Sequence, residues 1–181
     1  MKRTLLAVLA VGCLGVVAAP QAPAQGLRWG VNGGLLMPLG AYNKDDKPGW
    51  IASGGATYWL TGGILGVRGD VSYGQTTHDG ASGNTKIAGG MASVVYGLGP
   101  STAAARPFVT GGLGLYNVKI EFPPLPSASE TKIGFGAGAG LIFKAGTGGM
   151  RVVVATRFTS VSTSGSDLTF LPITVGLTFG K

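Results

Sequence analysis

The chain ends with the stretch Phe170-Leu171-Pro172-Ile173-Thr174-Val175-Gly176-Leu177-Thr178-Phe179, which decides the fold. Taken at every second residue, it separates into two sets. One set is large and apolar: Leu171, Ile173, Val175, Leu177 and Phe179. The other is small or mildly polar: Pro172, Thr174, Gly176 and Thr178. Because successive side chains of a strand point to opposite faces, this pattern predicts a β-strand with one strongly apolar face.

The composition differs from that of soluble domains. Glycine accounts for 34 of 181 residues, far more than the about 7% of ordinary domains. Charged residues make up 12% of the chain, against about 25% in ordinary domains. A soluble protein with so few charges would lack a solvated surface. The uncharged run at 87–105 contains four glycines and a proline, which disfavour a helix interior. Only helices and closed β-barrels satisfy the hydrogen bonds of every backbone group in lipid, so a closed barrel is the remaining way for this chain to span a membrane.

The two-residue alternation recurs in seven earlier segments. With the last stretch they predict eight strands, near 27–37, 50–60, 64–74, 86–98, 107–118, 132–144, 150–159 and 170–179. Strands of this length suffice for a tilted membrane crossing, which needs roughly 9–11 residues. The connections after strands one, three, five and seven are predicted to be the longer ones, as extracellular loops are. The predicted fold class is all-β, an eight-stranded antiparallel up-and-down transmembrane β-barrel.

Individual strands vary in clarity. Strand three is the clearest, since Val67 and Val71 alternate with Arg68 and Asp70. Strand four leaves its faces ambiguous. The aromatic residues of strand two are predicted to lie in an interfacial girdle: Trp50, Tyr58 and Trp59.

The N-terminal segment has the three parts of a secretory signal peptide. Lys2 and Arg3 precede an apolar run at 5–19, and Ala22-Pro23-Ala24 offers small residues for cleavage. The run is shorter than the roughly 20 residues of a spanning helix. Lipidation at Cys13 is disfavoured because Ala10 stands where a branched aliphatic residue is needed. We therefore expect residues 1–24 to be cleaved after export through the general secretory route, leaving 25–181 as one cysteine-free barrel domain.

Three runs resemble one known family. They are Arg106-Pro107-Phe108-Val109-Thr110-Gly111-Gly112-Leu113-Gly114, Phe135-Gly136-Ala137-Gly138-Ala139-Gly140 and Leu171-Pro172-Ile173-Thr174-Val175-Gly176-Leu177. They are similar to the small eight-stranded outer-membrane barrels, which include the membrane domain of outer-membrane protein A and the opacity-type surface proteins. The resemblance implies the cell outer membrane of a Gram-negative-type bacterium, with outer-membrane lipids and the barrel-assembly machinery as partners. It also implies an assembly signal in the last strand, carried by Val175, Leu177 and Phe179, which Gly180 and Lys181 follow here.

Polar residues on the faces opposite the aliphatic ones are candidates for the barrel interior. The predicted lumenal polar network consists of Asn32, Arg68, Asp70, Arg151 and Arg157, with Arg28 on the same face of strand one. An eight-stranded barrel is just wide enough for side chains to fill, and buried charges must be paired. We therefore expect Arg68, Asp70 and Arg157 to plug the lumen near mid-barrel. The family often has Glu where this chain has Ala155, so its lumenal Glu–Arg pair does not transfer.

No residue set indicates catalysis, a metal or a cofactor. His78 is the only histidine, and without a serine and an acid in supporting positions it is predicted to be a solvated loop residue. One histidine also makes a metal site improbable. Asp45 and Asp46 lack the spacing of a calcium loop and are predicted to form a solvated loop tip. The basic residues are scattered singly, which argues against nucleic acid and suits anionic lipid headgroups.

The leading functional hypothesis is a non-enzymatic, structural or surface-interacting barrel with extracellular partners bound through its loops. The alternative is a narrow conduit or binder for small or hydrophobic solutes, whose lumen would be emptied by the glycine faces of strands five and six. A secreted lipophile-binding barrel would need a charged outer face. A lipid-modifying enzyme would need a catalytic set that the sequence does not supply.

Overall fold

The computed structural model describes residues 26–60, 63–79, 83–121, 123–124, 126–146, 149–162 and 167–180. The predicted signal peptide lies outside these ranges. The described part contains one short helix, α1 (Tyr42–Asp45). It also contains eight strands: β1 (Leu27–Leu39), β2 (Asp46–Trp59), β3 (Leu65–His78), β4 (Asn84–Gly97), β5 (Ala105–Glu121), β6 (Ala128–Lys144), β7 (Arg151–Val161) and β8 (Leu168–Phe179). Within these residues, no helix is long and apolar enough to cross a membrane.

The strands form a closed barrel in sequence order, each antiparallel to its neighbours. The last strand closes the sheet by pairing with the first, so that Trp29 faces Phe179 and Val31 faces Leu177. The predicted eight-stranded antiparallel barrel is therefore confirmed. Closure leaves no free strand edge, which is the condition for placing a sheet in lipid.

The apolar face points outward, as the alternation predicted. In β8, Ile173, Val175 and Phe179 are exposed, whereas Pro172 is buried. The structure also resolves the ambiguous strand β4, where Met91 points into the lumen. Such an apolar outer surface is what contact with lipid requires.

The connections between strands lie at the two ends of the barrel. We call the end with Leu27 and Phe179 the terminal end; its connections are 60–64, 98–104 and 145–150. The opposite end is the loop end, with connections 40–45, 79–83, 122–127 and 162–167. The predicted difference in connection length is wrong, because polar strand segments continue further toward the loop end than expected. β2, for example, begins at Asp46, not near residue 50, and β5 continues to Glu121.

Candidate functional site

The middle of the lumen holds an ion cluster. Arg68 and Asp70 lie two residues apart on β3 and so share its inner face. Arg157 reaches Asp70 from β7: Arg157 Nη1 is 3.0 Å from Asp70 Oδ1, and Nη2 is 3.4 Å from Oδ2. Arg68 Nε lies 3.4 Å from the same Oδ2. One buried carboxylate is thus shared by two guanidinium groups.

The other residues of the predicted network lie elsewhere in the lumen. Asn32 donates to the Ser53 hydroxyl at 3.4 Å and lines the same cavity as Asp70. Arg151 lies toward the terminal end, where its Nη2 donates to the Ser101 carbonyl at 3.4 Å. The structure therefore brings Asn32 near the ion cluster, while Arg151 belongs to a different level of the barrel.

An apolar layer lies in the lumen on the loop-end side of the ion cluster. Its buried residues are Leu36, Tyr42, Ile51, Ile87, Met91, Tyr116, Val161 and Phe170. The rings of Tyr116 and Phe170 meet edge to face, with centroids 6.1 Å apart. Glycines make the space for Tyr116, because a Cβ at Gly89 would collide with its ring and one at Gly134 would lie 2.9 Å from it.

A second apolar layer lies toward the terminal end. It consists of Val95, Phe108 and Val153, with Trp59, Ile142 and Ala155 packed against them. Phe108 rests on Gly140, where a Cβ would come within 2.7 Å of its ring. The glycines of β4 and β6 therefore accommodate large lumenal side chains instead of leaving an empty passage.

The space left between these layers is small. A cavity of about 50 Å³ lies beside the ion cluster, lined by Asn32, Asp70, Tyr116 and Arg157 among others. A second cavity of about 40 Å³ is bounded by Arg28, Arg68 and Arg151. Volumes of this size hold only a few water molecules.

A buried polar cluster lies at the loop end of the barrel. Thr76 Oγ1 donates to Asp46 Oδ1 at 2.7 Å and is 2.6 Å from the Tyr42 hydroxyl. Thr85 Oγ1 lies 3.3 Å from Asp46 Oδ2 and 3.1 Å from His78 Nε2. Burial raises the pKa of the Tyr42 phenol, which lies in α1 outside the membrane-spanning segments.

Two sequence-based expectations fail in this cluster. His78 is only 5% exposed, as is Asp46, although both were predicted to be solvated; the side chain of Asp45 lies outside the described set. The cause is the longer strand: Thr76 and His78 continue the inner face of β3 beyond its predicted end at Gly74. The two-residue alternation of this segment could have indicated that the strand continues. Because these residues are polar, the segment resembles a loop in the sequence.

The cluster does not have the geometry of a catalytic triad. Asp46 Oδ1 lies 3.8 Å from His78 Nε2, the same nitrogen that faces the Thr85 hydroxyl. A triad needs the acid on the other ring nitrogen, where it orients the base. Among the residues described here, no group of three His, Cys, Asp or Glu side chains could hold a metal ion.

Two of the three residues predicted to form an aromatic girdle lie on the outer face of β2, and the third does not. Trp50 and Tyr58 are exposed on the outer face. Trp59 turns inward because it is adjacent to Tyr58 in a strand. Its ring lies beneath the guanidinium of Arg106, 5.0 Å from the centroid.

At the loop end, the neighbouring strands β4, β5 and β6 carry polar pairs. Glu121 is 2.7 Å from both Lys119 Nζ and Lys86 Nζ. These hydrogen bonds, from Lys119 first and then Lys86, lower the pKa of the Glu121 carboxyl to about 2. Asn117 on β5 donates to Ser129 and Thr131 on β6. Such cross-strand pairs explain why these polar segments remain in the sheet.

A closed barrel with an apolar outer face defines an integral membrane barrel protein. A family model described as "Outer membrane protein beta-barrel domain" matches residues 7–179, and the chain belongs to this family. The predicted family is confirmed, and the protein is an outer-membrane β-barrel.

Solved structures share the fold at low sequence identity. Neisserial surface protein A is 16% identical with a TM-score of 0.67, covering 86% of this chain and 97% of its own. The N-terminal barrel of OprF from Pseudomonas aeruginosa is 17% identical at 0.53, covering 84% and 97%. The outer membrane enzyme PagL is 16% identical at 0.51, covering 86% and 99%. No curated protein matches the sequence.

Proposed function

We infer that this protein is a structural, surface-interacting barrel whose lumen is plugged by its own side chains. The observation that carries this inference is the succession of filled levels along the barrel. A polar cluster around Asp46, an apolar layer around Tyr116, the ion cluster at Asp70 and a second apolar layer around Phe108 follow one another. A solute would have to displace several packed side chains to cross.

A non-enzymatic role fits the polar groups of the barrel. PagL is an enzyme on this fold, but fold alone does not determine function. Here the Thr85 hydroxyl donates a hydrogen bond to the Asp46 carboxylate. It is buried inside the barrel, so a substrate in the lipid does not reach it. The conduit hypothesis is weakened by Tyr116 and Phe108, which occupy the space above the lumenal glycines.

The partners follow from the orientation of the barrel. With the terminal end in the periplasm, the polar extension of β5 and β6 and the other loop-end connections face the cell exterior and offer the surface for partners. Val175, Leu177 and Phe179 remain the proposed signal for the barrel-assembly machinery, and all three lie on the outer face. Residues 1–24 would be removed after secretory export, leaving the barrel as a single domain in outer-membrane lipid.

Planar-bilayer recording tests the plug. The unmodified protein should give no steady single-channel conductance, whereas the double variant Phe108→Ala, Tyr116→Ala should show opening events because it empties both apolar layers. The matched control is Phe135→Ala, which truncates an exposed ring on the lipid face and should stay silent. A stable open channel in the unmodified protein would favour the conduit instead.

The proposed orientation has a separate test. Epitope tags inserted after Asp79 and Ser127 should be labelled on intact cells, and a tag after Gly62 should be labelled only after the outer membrane is permeabilised. The reverse labelling pattern would overturn the orientation.

A further inference from the structure

Charge is distributed unevenly between the two ends of the barrel. The sequence contains seven Asp and Glu residues. Six lie at the loop end: Asp45, Asp46, Asp79, Glu121, Glu130 and Asp167. The seventh is Asp70, shared by Arg68 and Arg157 in mid-lumen. The terminal end has basic residues and no acidic residue to balance them.

Three arginines meet the lumen at the terminal end from three different strands. Arg28 belongs to β1, Arg106 to β5 and Arg151 to β7. Their hydrogen bonds go to backbone carbonyls: Arg28 Nη1 to Gly149 at 3.1 Å, Arg106 Nη2 to Gly63 at 2.7 Å and to Gly97 at 3.2 Å, and Arg151 Nη2 to Ser101 at 3.4 Å. Within the described ranges, none of the three has a carboxylate partner.

Arg106 has one buried donor without a partner among the described residues. This donor is Nε, the residue is 2% exposed, and its guanidinium lies over Trp59. A buried charged donor left without an acceptor is costly, and native structures nearly always supply one.

Arg28 and Arg151 provide access to this level of the lumen. They line the same cavity of about 40 Å³, together with Trp59 and Phe108. Arg106 does not line this cavity, but its guanidinium contacts Trp59, which does. Both side chains are partly exposed, so a ligand from the terminal end can reach them without unfolding the barrel.

We propose that the terminal mouth of the barrel is a binding site for a phosphate group, held by Arg28, Arg106 and Arg151. Guanidinium groups bind phosphate through charge-assisted, often bidentate hydrogen bonds. The oxygens of a phosphate point in several directions and can accept from donors on three strands. The two oxygens of a carboxylate lie in one plane and cannot do so. Its negative charge also compensates the unbalanced arginines, which are costly in a low-dielectric lumen. The phosphate group belongs either to a free anion or to a phospholipid headgroup.

Isothermal titration calorimetry of the detergent-solubilised, unmodified protein with inorganic phosphate tests the site, at an ionic strength held constant with chloride. Saturable binding is expected. Arg151→Gln should weaken it about tenfold, the effect of one charge-assisted hydrogen bond, and Arg106→Gln should weaken it similarly. The control Lys47→Gln removes one positive charge from an exposed pair at the loop end and should leave the affinity unchanged.

The source of the phosphate is decided by a second arm. Native mass spectrometry of protein taken from membranes would show a retained phospholipid that Arg151→Gln loses, if a headgroup occupies the site. Phosphate binding without a retained lipid identifies the free anion. Absence of both, or binding that Arg151→Gln and Lys47→Gln reduce equally, would overturn the proposal. The Arg151 side chain is partly exposed, so we expect Arg151→Gln to fold. The proposal can therefore be tested with this variant even if Arg106→Gln does not fold.

Discussion

Replacing Asp70 with asparagine would remove the charge that Arg68 and Arg157 share while keeping the shape of the side chain. The Asp70 side chain is 6% exposed, and its oxygens lie 3.0 to 3.4 Å from the two guanidinium groups. Breaking a buried ion pair from one side costs roughly 3–5 kcal/mol, because the remaining charge is left without compensation. We expect a loss of free energy of unfolding in this range, since here two arginines lose their partner.

Urea-induced unfolding of the protein in lipid vesicles measures this loss. The double variant Asp70→Asn, Arg157→Gln should recover part of the stability, because it leaves one unpaired arginine instead of two. The control is Asp79→Asn, whose pair with Lys47 at 2.8 Å is about 60% exposed on both sides and should contribute less than about 1 kcal/mol. Equal losses for Asp70→Asn and Asp79→Asn would refute the reasoning.

Three further predictions concern the outer face, the glycines and pH. Val175→Arg should impair assembly by about 2–4 kcal/mol, because Val175 faces lipid, while Thr174→Arg should be better tolerated; equal yields of folded barrel would contradict the assignment of faces. Gly89→Ala should lower the unfolding temperature, since its methyl group collides with a lumenal ring, whereas Gly69→Ala should not, because nothing lies within 4 Å of its added Cβ. Glu121 should remain ionised well below its ordinary pKa of 4.5, so its contribution to stability is fully present above that pH and is lost progressively as pH falls from there through the depressed pKa. A carboxyl NMR titration with its midpoint near 4.5 would contradict this.

The barrel and its outer face follow from sequence because lipid imposes a simple requirement. Every spanning strand must present apolar residues on one side, and this two-residue period is visible in β8 and β3 without any tertiary information. The same alternation places Arg68 and Asp70 on one inner face. Partners across the lumen are harder to predict, since Arg157 reaches Asp70 from a strand 87 residues away.

The loop end could not be predicted in the same way. Outside the apolar band, strands continue with polar residues, so the pattern that identifies a strand in lipid is lost. Asp46 and His78 therefore resemble loop residues in sequence although they are buried in the barrel mouth. The prediction for Trp59 is wrong for a different reason. Aromatic residues near strand ends are common in the girdle, and only the position of Trp59 next to Tyr58 shows that it faces the lumen.

The most direct test of the proposed plug is a solid-state NMR measurement of the dipolar coupling between the Arg157 guanidinium nitrogens and the Asp70 carboxyl carbon in lipid-embedded protein. The structure predicts the strong coupling of a directly hydrogen-bonded pair, from the 3.0 Å separation of Arg157 Nη1 and Asp70 Oδ1. A coupling too weak to detect, with both side chains in exchange with bulk water, would contradict a lumen closed by its own side chains.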